Sequence, residues 1–101
     1  MSKNINKESP TTIAIKLIGG KWKLCILWHL SQKKMRFGEL QRSIGGITQQ
    51  MLSKQLKEMA EDNLVHRQVY EVIPPKVEYS LTPYGRSGIP VLTSLCEWAN
   101  K

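Results

Sequence analysis

Two glycines in a row, Gly45-Gly46, separate two stretches of helical periodicity, and two prolines in a row, Pro74-Pro75, separate two extended ones. A Gly-Gly pair is entropically expensive inside a helix, and Pro-Pro cannot continue a strand ladder because proline donates no backbone hydrogen bond. Residues 35–81 therefore read as a short helix, a tight turn, a second helix, a strand, a sharp turn and a second strand. Few folds accommodate that order in so short a stretch.

The periodicities fill in this outline. Met35-Arg36-Phe37 reads as a short extended segment, and the helix after it runs from about Gly38 to Ile44 with Leu40 and Ile44 inward. Thr48 is placed to cap the next helix, about Thr48 to Asp62, whose core stripe is Leu52, Leu56 and Met59. Gln50, Ser53, Lys54 and Lys57 fall on the opposite side, and Glu58, Glu61 and Asp62 lie toward its end. A helix inserted in a DNA groove needs amides, hydroxyls and cations at its start and acids away from the phosphates. Leu64 to Val72 reads as a strand, and Val77, Tyr79 and Leu81 alternate with Glu78 and Ser80, which predicts a second strand with one buried face. Ile73-Pro74-Pro75-Lys76 between them is a stiff hairpin tip with one cation at its end.

The flanks supply the rest of the core. Ser9-Pro10 starts a helix that is apolar nearly all round and ends at Gly19-Gly20. Lys21 to Leu30 is a second helix, and Leu24, Ile26, Leu27 and Leu30 with Trp22 and Trp28 make it the centre of the core. Thr82-Pro83 opens the last helix, which Pro90 should kink or restart. That helix carries Ile89, Leu92, Cys96 and Ala99 on one arc and Val91, Leu95 and Trp98 on the next. Apolar surface to spare at both ends predicts a dimer. The expected fold is α+β and mainly helical: a winged helix-turn-helix with a two-stranded β-hairpin wing and N- and C-terminal dimerisation helices. It forms one domain over 9–101, behind a flexible arm at 1–8. Such a unit places its second helix in the major groove.

Charge agrees with that. Residues 1–60 hold eleven Lys/Arg against three Asp/Glu, and residues 61–101 hold four against five, so the +7 excess is concentrated on one part of the chain. A concentrated excess favours a basic face over simple solubility. The polar start, Met1 to Glu8, has no secretion-signal core and no apolar run is long enough for a membrane span, so the expected location is the cytoplasm. Cys25 and Cys96 form no C-x-x-C pair and are expected as buried core thiols. Cys25 and His29 share a helix face but lack further ligands at metal spacing, so neither metal nor cofactor is expected. No acid pair or glycine-rich phosphate loop suggests an enzyme.

Five spaced motifs carry a family resemblance: Ile18-Gly19-Gly20-Lys21-Trp22, Arg36-Phe37-Gly38-Glu39-Leu40, Gly46-Ile47-Thr48-Gln49-Gln50-Met51-Leu52, Pro74-Pro75-Lys76-Val77-Glu78-Tyr79-Ser80-Leu81-Thr82 and Leu95-Cys96-Glu97-Trp98. Together, over about residues 9–99, they resemble the HxlR-type winged-helix transcriptional regulators, relatives of the MarR group. The resemblance implies a homodimer, joined through the first and last helices, on double-stranded DNA carrying an inverted-repeat operator. It implies a recognition helix presenting Thr48, Gln49, Gln50, Ser53, Lys54 and Lys57, and a wing cation at Lys76, where many relatives carry arginine. Many relatives also carry a sensing cysteine just before the first helix; here that position is Ser9, which cannot form a disulfide. A small-molecule effector is left open, with Trp22, Trp28 or Trp98 as candidate pocket walls. The competing reading is a winged helix that binds DNA without sequence preference, or binds protein.

Overall fold

The computed structural model describes residues 9–101; the arm expected at 1–8 lies outside the described residues. Helix α1 (Pro10–Ile18) starts as its sequence predicts, with Ser9 Oγ accepting a hydrogen bond from the Thr12 amide at 3.1 Å. Helix α2 (Lys23–Gln32) follows after a turn and begins two residues later than its apolar pattern suggests. Strand β1 (Met35–Arg36) and helix α3 (Phe37–Ile44) come next. Glu39 sets the start of α3, accepting from the Arg36 amide at 3.4 Å and pairing with Lys33 at 2.9 Å.

The turn into helix α4 (Gln49–Glu61) uses both glycines at positive φ, 71° and 72°, a region closed to most side chains. Gln41 Nε2 reaches across it to the Ile47 carbonyl at 3.2 Å, and Thr48 Oγ1 accepts from the Met51 amide at 3.0 Å. The angle between the two helices is thus held by side chains at both ends of the turn.

Strands β2 (Val65–Tyr70) and β3 (Lys76–Leu81) form the wing hairpin. Strand β1 joins its other side, giving a three-stranded antiparallel sheet of order β1-β3-β2. Strand β3 is therefore central. Its residues are half-buried on both faces rather than buried on one, ending at buried Leu81.

The last helix restarts at Pro90, one of the two outcomes expected there, and so divides into α5 (Pro83–Arg86) and α6 (Ile89–Ala99). Thr82 clamps this junction, donating to the Asn63 carbonyl at 2.6 Å while accepting from the Gly85 amide at 2.9 Å. A Cβ at Gly85 would sit 2.1 Å from the Leu64 carbonyl oxygen, so only glycine lets α5 lie this close to the strand entry.

The core gathers Ile26, Leu27 and Leu30 of α2, Leu40 of α3, and Leu52, Leu56 and Met59 of α4 around the sheet. Helix α1 lies at its edge, with Leu17 packed against it. None of its residues is buried, and Ile13 and Ile15 are exposed, as are Val91 and Trp98 of α6.

Candidate nucleic-acid interface

Helix α4 is anchored by three buried residues on one side and is bare on the other. Gln49, Gln50, Ser53, Lys54 and Lys57 are all exposed, and with Phe37 and Tyr79 they line an open groove of about 640 Å³. The structure therefore brings five of the seven expected contact residues to one surface. Phe37 and Tyr79, aromatic residues 6.5 Å apart between ring centres, form the opposite wall. Neither is evident from the sequence, because only the β1–β3 pairing, with Met35 opposite Tyr79, brings them to the helix.

Thr48 is half-committed before any ligand arrives: it sits at the helix start, where its hydroxyl oxygen is engaged as the cap. Lys76 departs from its expected setting. It is the first residue of β3, paired with Tyr70, and the exposed tip is formed by residues 71–75 instead. Its ammonium lies 4.7 Å from the Tyr70 ring centre and 3.6 Å from Glu78 Oε2. Lys34 approaches the other oxygen of Glu78 at 3.8 Å. The hydrogen bond from the Tyr70 phenol, with both lysines, holds the Glu78 carboxyl below the usual carboxylate range, and Glu78 in turn pushes the phenol up.

The end of α4 is fixed by an ion pair that the sequence did not announce. Lys23 is buried at the start of α2 and lies 2.9 Å from Glu58 Oε1, while donating to the Lys16 carbonyl at 3.1 Å. The Lys23 hydrogen bond holds the Glu58 carboxyl below its ordinary range.

The cysteines differ from expectation. Cys25 is half-buried and Cys96 exposed; Leu92 is the one residue of α6 that is buried, with Ile89 partly buried beside it. Burial pushes the Cys25 thiol up, away from thiolate reactivity. His29 Nδ1 donates to the Cys25 carbonyl at 2.9 Å, since a carbonyl only accepts. Among the described residues no group of three or more His, Cys, Asp or Glu is placed to hold a metal ion, and no helix is long and apolar enough to cross a membrane. Nor do the tryptophans converge: Trp28 and Trp98 are exposed and Trp22 packs against the core.

Known proteins give this geometry its context. The HxlR-like helix-turn-helix family profile matches residues 17–101. YybR of Bacillus subtilis (strain 168), an HTH-type transcriptional regulator, is 48% identical over 99 residues, spanning 95% of this chain and 79% of the relative. BH0655 of Halalkalibacterium halodurans, another HTH-type transcriptional regulator, is 49% identical over 100 residues, spanning 98% and 88%. Among solved structures, the HTH-type regulator ytcD superposes with a TM-score of 0.89 at 45% identity, over 92% of this chain and 95% of that one. The redox regulator HypR in its oxidized form superposes at 0.86 and 44% identity, over 91% and 95%. Sequence and fold agree across nearly the whole domain, and the chain belongs to the HxlR-like helix-turn-helix family of transcriptional regulators.

Proposed function

We propose that this protein is a dimeric, sequence-specific DNA-binding regulator that acts in the cytoplasm on an inverted-repeat operator. The observation that carries this is the exposed face of α4, where two amides and a hydroxyl precede and accompany two lysines along one open groove. Gln49 and Gln50 have the donor–acceptor pair that reads adenine in the major groove, and Lys54 and Lys57 have the charge that holds phosphates. Thr48 presents the start of the helix. Lys76 reaches a phosphate in this reading only by leaving Glu78 and Tyr70, so its share is smaller than that of the helix lysines.

Dimerisation is supported by the uncovered apolar residues Ile13 and Ile15 of α1 and Val91 and Trp98 of α6. A helix with no buried residue has little reason to stay ordered in water unless a second copy covers it. Two recognition helices related by a two-fold axis then enter successive major grooves, about 10 base pairs apart. HypR is a redox regulator; that property is not carried over through the first helix here, since the residue at its start is Ser9, whose oxygen caps α1.

Selection of bound duplexes from a random pool at near-physiological salt tests the proposal. A two-fold symmetric motif with half-sites about one helical turn apart is the expected result. Binding without enrichment of any sequence would reduce the chain to a non-specific DNA binder.

A further inference from the structure

Arg67 stands opposite Tyr79 in the β2–β3 ladder. Residues directly opposed in an antiparallel pair send their side chains to the same face. On that face Tyr79 forms a wall of the recognition groove, while alternation sends Lys76 and Glu78 to the other face, where they meet each other and Tyr70. The wing cation that shares the recognition helix's side of the sheet is Arg67.

A second cleft, of about 400 Å³, lies between α4 and this face, with Ser53, Lys57 and Glu61 on the helix side and Arg67 on the sheet side. Ser53, Lys57 and Tyr79 line both this cleft and the recognition groove, so the two form one trough. The four-residue spacing of Ser53, Lys57 and Glu61 puts a hydroxyl, a cation and an anion in line along the trough. Arg67 is exposed and makes no ion pair with any described residue, so its guanidinium is available to an incoming anion. Glu61 puts a negative charge at the far end of the helix side of the trough, which disfavours an anion there and favours one beside Lys57.

We propose that this trough seats a DNA backbone phosphate between Lys57 and Arg67, and that Arg67 rather than Lys76 is the principal wing contact to DNA. The guanidinium fork matches two phosphate oxygens at once, whereas an ammonium acts as a point charge. The seat rests on the reading of the chain as a DNA binder, and its chemistry is indifferent to base sequence.

The test is duplex binding by the full chain across a salt series, with Arg67→Gln, Arg67→Lys and Lys76→Ala beside the wild type. Removing the cation from one phosphate flattens the log–log salt dependence by about 0.9. Arg67→Gln should flatten it by that amount and weaken all duplexes alike; Arg67→Lys should keep the wild-type slope; Lys76→Ala should change it little. Circular dichroism melts confirm that the variants are folded, and the lysine variant separates the effect of charge from that of packing. A wild type that binds while Arg67→Gln keeps the same slope overturns the seat and leaves the regulator standing. A slope that falls with Lys76→Ala instead of Arg67→Gln also overturns it. A wild type with no salt-dependent affinity for any duplex overturns both.

Discussion

Lys23 Nζ lies 2.9 Å from Glu58 Oε1 and couples the buried second helix to the last turns of the recognition helix. Lys23 is buried at the start of α2, so without a partner its charge would be costly; Glu58 and the Lys16 carbonyl supply two partners. Because Lys23 holds the Glu58 carboxyl below its ordinary value, the stabilisation is present above the unfolded carboxylate range, about 4.3, and is lost as pH falls through the lower folded value. Glu39 and Glu78 are depressed in the same direction, by Lys33 and by the Tyr70 phenol respectively. Melting temperature should therefore drop on acidification below about pH 4, and Glu58→Gln should both lower it at neutral pH and reduce its acid dependence. An unchanged acid limb in that variant would show that Glu58 carries none of the acid sensitivity.

The cap at Thr48 makes a separate prediction. Its Oγ1 satisfies the Met51 amide, one of the unpaired donors at the start of α4. Thr48→Ala should cost about 1 kcal/mol, and Thr48→Ser should restore most of it. Thermal melts should show the alanine variant roughly 4–8 °C lower. Equal melting temperatures for all three would mean that the turn is held by Gln41 alone.

Much of this architecture is legible in the sequence. The caps at Ser9, Thr48 and Thr82, the Gly-Gly turn and the Leu52–Leu56–Met59 stripe are local signals, and a local signal needs no knowledge of what lies across from it. The third strand reads only as an extended segment without a partner, since Met35 finds Tyr79 through a pairing distant in sequence. Register, equally invisible in one dimension, hides Arg67, whose face is set by its partner Tyr79, and puts Lys76 at the tip when it belongs to the ladder. Cys96 reads as buried because periodicity marks an apolar arc without saying how much of it a neighbour covers. Lys23 is unreadable as a core residue for a related reason: a buried lysine is rare unless paired, and its partner lies in another helix.

Trp98 is 73% exposed and Ile15 62% exposed in the single chain. Replacing both with alanine should therefore leave the fold of one chain nearly as stable while weakening the association. Light scattering at micromolar concentration should give twice the chain mass for the wild type and a value shifted toward one chain for Ile15→Ala/Trp98→Ala. A wild type that already scatters as one chain would defeat the dimer, and with it the two-fold operator.

Gln50 and Lys54 lie on the same exposed face of α4, yet their chemistry predicts opposite signatures. An amide pairing with adenine discriminates between bases by about 1–3 kcal/mol and neutralises no phosphate. A lysine at a phosphate carries no base information but releases a counterion. Gln50→Ala should thus relax preference at one position of the half-site and leave the salt slope as it was. Lys54→Ala should weaken binding to every duplex by the same factor and flatten the slope by about 0.9. Fluorescence anisotropy on matched and single-mismatch duplexes at several salt concentrations separates the two. If Lys54→Ala changed the preferred sequence with no change in slope, the lysine would be reading a base, and the division of labour along α4 would have to be redrawn.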